Sequence, residues 1–347
     1  MKWHSLYLVL FFGLVLALAN RWLYPSANGN DLYPRWYGTQ VLLRGGDPYG
    51  RQVTEESERH NYGHVLSAYE IQGHRDQERF AYPLYVAFPL AALTWLDFEA
   101  ARHLLWLCLV ATTFLSVFVW AGAMNWRPAK AILAVLATLV VFSPVCRRGL
   151  NLTQLALLLA FILAAAAWCA VNGYLLSAGA LLAVATIKPQ MALLPVIWFL
   201  LWAVSRPRER LRMIAGFALV LGLLIALSLA ILPAWPREFL HGIAEYSGYT
   251  GAPSAFDAIF SKRLSALFSW PLFGALAVVM WRNRQAAATS TNFALVLVLC
   301  LAATAWLMPA MFDPFNQLLM LPGICLLGAY FQEKHARRQP AASARAS

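Results

Sequence analysis

The charged side chains that could carry out chemistry in this sequence stand beside long apolar runs. Asp31 follows the apolar opening of the chain, and Lys188 lies inside the apolar stretch VATIKPQMALLP. Arg147 and Arg148 occur together in CRRGLNLTQ. A carboxylate poised by nearby cations and partial desolvation can act as a general base, and cations in a water-poor place stabilise an anion such as phosphate.

The surroundings of Asp31 leave two interpretations open. Leu32, Trp36 and Leu43 fall on one side of a 3.6-residue period, which predicts a helix over 31–43 lying on the membrane surface. The turn-forming RGGDPYG then ends it. In the first interpretation Asp31 only favours the N-terminus of an amphipathic connector. In the second it is a general base, placed just outside the first span where a lipid-borne substrate presents its headgroup.

Lys188 also allows two interpretations. A lysine inside a span costs at least about 2.5 kcal/mol unless it is paired or hydrated, so an anionic group is expected near it. Pro189 frees backbone carbonyls and marks a break where irregular backbone can line a cavity. Lys188 is therefore either a side chain that snorkels to the interface or a phosphate ligand.

Two amides follow the arginine pair. Asn151 and Gln154 are three residues apart, which places them on one face of a predicted helix. With Arg147 and Arg148 they form either an ordinary cytoplasmic loop or, on the outer side, a group that grips phosphate or sugar hydroxyls.

A second polar stretch, 233–262, carries a further catalytic candidate, His241. Imidazole serves acid–base or donor roles near neutral pH. Other groups of this stretch could bind or stack on a sugar, although each is also typical of a solvated loop: Glu245, Tyr246, Tyr249, Ser254 and Asp257.

The composition indicates that lipid is the solvent of the chain. Of 347 residues 61% are hydrophobic and 12% charged, and the mean hydropathy is +0.59, which exceeds what a globular core can bury. The net charge of +11 comes from arginine clusters between apolar runs, so nucleic acid is excluded as a partner. The five cysteines have no CxxC and no histidine at ligand spacing, and are interpreted as small core residues.

Apolar runs of about the 17 to 25 residues that a crossing requires lie near 5–24, 101–124, 129–146, 150–171, 211–232, 263–281, 293–311 and 315–331. The first has the positive start of a signal peptide, but its apolar stretch continues through RWLYP, which favours an uncleaved helix. The segments 82–96 and 174–204 are ambiguous, because the first is short with two prolines and the second is too long for one span.

Basic residues predict the orientation. Lys2 and the clusters within 206–212, 282–284 and 334–338 should be cytoplasmic, so both termini are inside.

Two topologies remain, each with ten spans. In one, 82–96 spans, 174–204 is a single kinked span, and the pair 147–148 faces the cytoplasm. In the other, 82–96 only dips into the outer leaflet and 174–204 divides after Lys188 into two short spans. The second topology places the pair 147–148, Asn151 and Lys188 near the outer face.

The sequence predicts one integral-membrane domain over 1–335. Its extracytoplasmic loops are 25–80, which has eight acidic residues against six arginines, and 233–262. The Ala/Ser/Arg-rich segment 336–347 is predicted to be a disordered cytoplasmic tail.

Four segments carry a family resemblance: NDLYPRWYGTQVLLRGGDPYG, FAYPLYVAFPLAAL, RRGLNLTQLALLLAF and SAGALLAVATIKPQMALLP. In order, they resemble motifs of the GT-C glycosyltransferases that use polyprenyl-phosphate sugars, in particular glycosyltransferase family 87, which holds mycobacterial mannosyl- and arabinofuranosyltransferases. Leu84 stands where the family usually has a second proline, and Leu150 where it has a glutamine.

The resemblance implies an all-α polytopic membrane protein of the GT-C fold, with about ten transmembrane helices and juxtamembrane helices in the first outer loop. It implies an inverting enzyme that moves mannose, arabinofuranose or a similar sugar from a polyprenyl-monophosphate donor to a hydroxyl of a lipid or glycan acceptor. Asp31 is then the base, in a site facing the exterior of a bacterial plasma membrane. The resemblance favours the second topology, which gathers Asp31, Arg147 and Lys188 on one side.

In this mechanism Lys188, with Arg147 or Arg148, meets the growing charge on the phosphate. No metal or other cofactor is then required, and Asp47 is the carboxylate that leaves room for a divalent ion with Asp31. The predicted substrate-binding residues are Asn151, Gln154, Tyr33, Trp36, Tyr37, Asp47, Tyr49 and Tyr82. Their aromatic members are also typical of anchors at a membrane interface.

Two rival classes share these features: a transporter or flippase for a lipid-linked sugar, and an assembly subunit without catalysis. Transporters often have two related halves with paired broken helices. This sequence has one large acidic loop at its front and no evident second copy of it.

Overall fold

The computed structural model describes residues 2–73 and 75–343, and the side chains of 7–73 and 75–336. All regular structure within these residues is helical. The first α-helices are α1 (Lys2–Trp22), α2 (Tyr33–Leu43), α3 (Arg51–Tyr62), α4 (Ala68–Gln72), α5 (Ala87–Ala91), α6 (Phe98–Ala123), α7 (Lys130–Phe142) and α8 (Pro144–Asn151).

The second half of the chain continues the same pattern with longer helices. These are α9 (Ala156–Val171), α10 (Leu175–Ala185), α11 (Pro189–Val204), α12 (Pro207–Ile231), α13 (Trp235–Thr250), α14 (Lys262–Asn283), α15 (Thr291–Leu307) and α16 (Leu321–Ser343). Short 3-10 helices join them at Tyr24–Ser26, Leu84–Val86, Ala92–Trp95, Phe256–Ala258 and Pro314–Met320. Helix α16 continues past the predicted tail boundary at 336, and residues 344–347 of that tail lie outside the described residues.

Five helices of the described chain are long and apolar enough to cross a membrane: Tyr7–Ser26, Phe98–Ala123, Pro207–Ile231, Lys262–Asn283 and Pro314–Ala336. The pair α7 and α8, bent by 54°, makes a sixth when counted as one span, and further apolar helices are shorter. The protein is therefore an all-helical, polytopic membrane protein, as the sequence predicts. The number of ten spans stays a prediction.

Hydrogen bonds between distant segments define two ends of this helical bundle. At the Asp31 end, the side-chain amide of Gln154 donates to the carboxylate of Asp31. At the Arg210 end, the guanidinium of Arg210 donates to the backbone carbonyls of Trp202 and Ala286, at 2.6 and 3.1 Å. The loops that carry polar side chains thus meet on opposite sides of the apolar helices.

The segment 174–204 passes between the two ends twice. Helix α9 leaves the Asp31 end, and α10 returns to it, because Thr186 just after α10 lies 2.9 Å from the hydroxyl of Tyr85. Helix α11 then leaves again and brings Trp202 to the Arg210 end. Lys188 stands at the turn, which is the arrangement of the second predicted topology.

The segment 82–96 stays at the Asp31 end. It forms two 3-10 helices around the short α5 and is bonded to α2, where Trp36 Nε1 donates to the carbonyl of Leu93 at 3.1 Å. Pro83 and Pro89 remove backbone donors that a continuous helix would need. This segment therefore does not run the length of the bundle.

Helix α2 differs from its prediction. Leu32 and Trp36 are buried as expected, but Leu43 is 59% exposed, so the predicted apolar face is wrong at its last member. The rings of Tyr33 and Trp36 pack on Phe98 of α6 rather than facing outward. The predicted surface helix lies against the protein because α6 and the segment 92–95 cover its apolar side.

Two glycines bring α10 and α12 into backbone contact. A Cβ on Gly179 would lie 2.0 Å from the carbonyl oxygen of Met213, and a Cβ on Gly216 would lie 2.2 Å from that of Leu176. Small residues of this kind let membrane helices approach closely. Fully buried large side chains fill the interior elsewhere in the bundle: Trp106, Trp120, Trp198, Phe199, Trp202 and Phe293.

Candidate active site

Asp31 lies in the turn before α2 and is held from behind by the end of α8. The backbone N–H groups of Asn28 and Gly29 both donate to the carbonyl of Asn151, at 2.8 and 3.0 Å. Gly29 has a φ of +68°, which glycine adopts without a Cβ clash. Its own carbonyl accepts from the N–H of Tyr33, so α2 begins directly after Asp31.

The carboxylate of Asp31 is fixed by a buried glutamine. Gln154 Nε2 donates to Asp31 Oδ2, and Gln154 Oε1 accepts from the hydroxyl of Tyr82 at 3.2 Å. Gln154 and Tyr82 are both buried, whereas Asp31 is half-buried. Asp31 Oδ1 takes no hydrogen bond from the residues that the structure describes.

The predicted shared helix face of Asn151 and Gln154 is wrong. Helix α8 ends at Asn151, and Thr153 has a φ of +52°, which turns the chain out of the helix. The N–H of Gln154 then donates to the carbonyl of Gly149 at 2.8 Å, as in a left-handed helix C-terminus. The side chain of Asn151 instead accepts from the hydroxyl of Ser26 at 2.9 Å.

Lys188 is a buried cation without a carboxylate partner. Its side chain is 5% exposed, and it forms no hydrogen bond or ion pair with the described residues. Its Nζ lies 5.1 Å from the ring centroid of Phe315. Arg147 and Arg148 are exposed on α8. Of this pair, Arg148 shares an electrostatic neighbour with Lys188, namely Asp313.

Asp313 connects the two halves of the site. Burial, followed by the charge of Asp31, raises the pKa of this carboxyl, while Lys188 and Arg148 oppose the rise. Because such influence weakens with distance, Asp31, Lys188 and Arg148 belong to one polar neighbourhood. The second predicted topology expected this gathering, but Asp313 itself was not among the predicted site residues.

Arg35 was also not among the site residues predicted from the sequence. Its guanidinium lies 4.2 Å from the ring centroid of Tyr82, and its half-buried charge is felt by Asp31, Glu78 and Asp76. Its Nε is buried without a hydrogen-bond partner among the described residues. The spacing of four residues from Asp31 is the sequence signal that could have identified it, since such pairs face each other on a helix.

Two further carboxyls lie beside Arg35 on the loop before Tyr82. Burial, followed by the charges of Asp76 and Asp31, raises the pKa of Glu78 to about 8. Burial also raises the pKa of Asp76, whose Oδ1 accepts from the hydroxyl of Tyr249 at 2.9 Å. Burial and mutual repulsion thus favour the neutral forms of these two carboxyls.

The aromatic residues predicted to bind substrate are engaged within the protein. The ring of Tyr33 stacks on His60 at 3.6 Å between centroids and on Tyr37 at 6.0 Å. Trp36 is buried, and its indole N–H donates to the backbone carbonyl of Leu93. Of these rings, Tyr37 is only partly buried.

The GGDPYG turn braces Tyr82. Asp47 Oδ1 accepts from the N–H of Tyr49 at 2.9 Å, which closes the turn. The hydroxyl of Tyr49 then donates to the carbonyl of Tyr82 at 2.8 Å. Asp47 itself is exposed and touches neither Asp31 nor Lys188.

His241 is not brought to Asp31. It lies on α13 with its side chain 66% exposed, and its Nδ1 is 3.2 Å from Glu245 Oε2. Glu245 also pairs with Arg79 of the first loop. The contact of His241 is thus within α13, and it is Glu245 that joins α13 to the loop before Tyr82.

The described residues contain neither a metal-binding cluster nor a disulfide. No group of three or more His, Cys, Asp or Glu side chains there has the arrangement to hold a metal ion. The five cysteines are free: Cys146, Cys300 and Cys325 are buried, Cys169 is partly buried and Cys108 is exposed. The interpretation as core residues is therefore correct for the first three and wrong for Cys108, which lies on an outward face of α6.

The structure defines the class of polytopic, all-helical membrane proteins, with acid, amide and cationic groups at one end of the bundle. The model of glycosyltransferase family 87 matches residues 80–320, which is more than half of the chain. The chain belongs to glycosyltransferase family 87. This confirms the resemblance found in the sequence and makes the protein a glycosyltransferase.

The family match includes Tyr82, Gln154, Lys188 and Asp313 but begins after Asp31. Searches of curated proteins and of solved structures found no significant match.

Proposed function

We propose that this enzyme transfers a sugar from a polyprenyl monophosphate to a hydroxyl of a lipid or glycan acceptor, with inversion at the anomeric carbon. Asp31 Oδ1 takes the proton of the acceptor hydroxyl as its oxygen bonds to the anomeric carbon. The bond from that carbon to the phosphate oxygen breaks, and polyprenyl phosphate leaves from the opposite face. The observation that carries this proposal is that α8, which bears Arg148, ends on the backbone just before Asp31, while Phe315 packs against Gly149 of α8 and lies 5.1 Å from Lys188 Nζ.

Stabilisation of the leaving phosphate is electrostatic. Lys188 is buried without an ion-pair partner among the described residues, so its charge is available to a substrate anion. Arg148, and Arg147 beside it, are exposed on α8, whose last residue, Asn151, accepts hydrogen bonds from the segment before Asp31. A preorganised cation in a water-poor site acts on developing negative charge without reorganisation at the moment of reaction.

The proposed architecture is the GT-C fold with ten crossings. Its crossings are α1, α6, the bent pair α7 and α8, α9 to α12, α14, α15 and α16. Support comes from five long apolar helices, the bent pair and four of the five shorter apolar helices in the described chain. The basic clusters at 206–212 and 282–284 belong to the Arg210 end, which the positive-inside rule makes cytoplasmic. The Asp31 end then faces the exterior of a bacterial plasma membrane.

Asp31→Asn tests this proposal. In proteoliposomes supplied with a polyprenyl-phosphate sugar and an alcohol acceptor, we expect transfer to fall by about 10²–10⁴-fold, which is the usual value of general base catalysis. Donor binding, measured by ligand-dependent thermal stabilisation, should remain because the cations are untouched. Transfer at the wild-type rate would remove Asp31 from the mechanism.

The matched control is Asp97→Asn. Asp97 caps α6 through its side chain, which accepts from the N–H of Ala100 at 2.9 Å, and asparagine caps helices equally well. This variant makes the same chemical change away from the site and should keep wild-type transfer. Movement of a labelled lipid-linked sugar across the bilayer without any transfer would favour a transporter instead.

A further inference from the structure

Gln154 occupies a position between two groups that together fix the direction of its amide. An ionised carboxylate only accepts hydrogen bonds, so the amide must present its NH₂ to Asp31 and its oxygen to the other side. On that other side the hydroxyl of Tyr82 donates to Gln154 Oε1 at 3.2 Å. Tyr82 therefore donates to Gln154, and Gln154 donates to Asp31.

Tyr82, the first donor in this series of hydrogen bonds, is held at its ring and at its backbone. The guanidinium of Arg35 stacks over the ring, and the hydroxyl of Tyr49 donates to the carbonyl at 2.8 Å. Tyr82 is also buried. Its hydroxyl thus has a fixed position from which to orient the glutamine.

The turn that carries Gln154 also holds the backbone next to Asp31. The carbonyl of Asn151 accepts from the N–H groups of Asn28 and Gly29, three and two residues before Asp31. Between Asn151 and Gln154, Thr153 is 1% exposed, has a φ of +52°, and keeps a buried hydroxyl without a partner among the described residues.

Thr153 marks this turn as a strained position. A β-branched residue with positive φ is a conformational outlier, and such strain persists where the surrounding structure over-determines it. A relaxed helix C-terminus would have glycine or asparagine there. Through this turn, the carbonyl of Asn151 bonds the backbone just before Asp31. The side chain of Gln154 bonds the carboxylate of Asp31.

We propose that residues 151–154 form a positioning turn for Asp31, in which Gln154, oriented by Tyr82, is a positioning residue rather than a substrate ligand. This inference rests on the proposed role of Asp31 as the base. The amide occupies Oδ2 and fixes the orientation of the carboxylate. Oδ1 is left to receive the proton of the acceptor hydroxyl.

The test measures transfer against pH for Gln154→Leu, Gln154→Glu and Tyr82→Phe. Gln154→Leu should lower kcat by about 10²-fold, a typical effect of displacing a catalytic group by 1 Å. It should also move the acidic limb of kcat/KM to higher pH, because the carboxylate loses its donor. Tyr82→Phe should shift the same limb in the same direction by less.

Gln154→Glu keeps the shape of the side chain and therefore provides the test if the leucine variant does not fold. Two neighbouring carboxyls share a proton, so the acidic limb should move further than with leucine. The matched control is Gln332→Leu, because Gln332 bridges the backbone of Arg127 at the Arg210 end. That variant should leave the pH profile unchanged.

The inference is overturned if the Gln154 variants raise the KM for the donor while kcat and the acidic limb stay unchanged. Asp31→Asn, assayed in parallel, separates this failure from failure of the proposed function. If Asp31→Asn is inactive and the Gln154 variants have a wild-type pH profile, the positioning role alone is wrong. If Asp31→Asn is fully active, the proposed base is wrong and the positioning role falls with it.

Discussion

Lys188 has a position that folding alone would not favour. Burying a cation without an ion-pair partner is costly, and Lys188 forms no ion pair with the described residues, its Nζ lying 5.1 Å from the ring centroid of Phe315. Function is the usual reason for retaining such a group, since active sites give up stability for chemistry. Lys188 should therefore oppose stability while supporting transfer.

Lys188→Met tests this trade-off, because methionine keeps much of the apolar stem and removes the charge. We expect kcat/KM for the polyprenyl-phosphate donor to fall by about 10²–10³-fold, as when an oxyanion-stabilising donor is lost. The midpoint of thermal unfolding should stay unchanged or rise. Both are measured on the protein in detergent and in proteoliposomes.

Lys262→Met is the matched control for this variant. Lys262 is also a cation at the Asp31 end, but it is exposed at the start of α14, where its Nζ donates to the carbonyl of Gly251 at 3.3 Å. It should keep wild-type transfer. A Lys188→Met enzyme that unfolds earlier yet transfers normally would show that Lys188 has a structural role.

At the scale of elements, the contact of α10 with α12 sets the position of Lys188. Helix α10 leads directly to the turn at 186–188, so its depth against α12 determines where the lysine stands. The contact depends on two glycines whose missing Cβ atoms make room for a carbonyl oxygen of the other helix. Any side chain there must push the helices apart.

Gly216→Ala should therefore lower the midpoint of thermal unfolding and reduce transfer. Its Cβ would lie 2.2 Å from the carbonyl oxygen of Leu176, and backbone cannot move aside as the end of a side chain can. Gly222→Ala on the same helix meets nothing within 4 Å and is the control. It should be neutral or stabilising by up to about 1 kcal/mol. Equal effects of the two substitutions would contradict the proposed contact.

At the scale of the whole molecule, the proposed orientation places residues 148 and 172 on different sides of the membrane. Arg148 and Asn172 are both exposed, at opposite ends of the segment formed by α8 and α9. Single cysteines at these positions, in a chain whose five native cysteines are replaced, should react differently with a membrane-impermeant maleimide. Position 148 should label in intact cells, and position 172 only after permeabilisation.

If position 148 labelled only from the cytoplasm, the proposed orientation would be wrong. The phosphate role of Arg147 and Arg148 would then be wrong as well. Labelling of both positions after permeabilisation is the control that both thiols are reactive.

The sequence predicts the apolar helices well because each depends on local composition. The long spans α1, α6, α12 and α14 lie close to apolar runs that can be read directly. The break at Lys188 was also readable, since proline follows a charge there. The choice between the two topologies required contacts between distant segments, such as that of Tyr85 with Thr186.

The site was predicted less completely because its members come from distant parts of the chain. Asp31 and Lys188 stand out by their apolar surroundings, whereas Glu78 lies among other polar residues, and the burial of Glu78 and of Asp313 is visible only in the folded chain. Gln154 was identified, but as a substrate ligand on a helix. Its hydrogen bond to Asp31 depends on the end of α8, and no period in the sequence indicates that Thr153 adopts a positive φ.

The hydrogen bond between Gln154 and Asp31 joins a residue inside the region that the family model matches to a residue before that region. The match begins at residue 80, so the acid lies before the matched region and the amide inside it. A chimaera made by exchanging the front segment between family members would cut through this junction. Such an exchange preserves the geometry only when the incoming front loop still complements the carbonyl of Asn151 and the amide of Gln154.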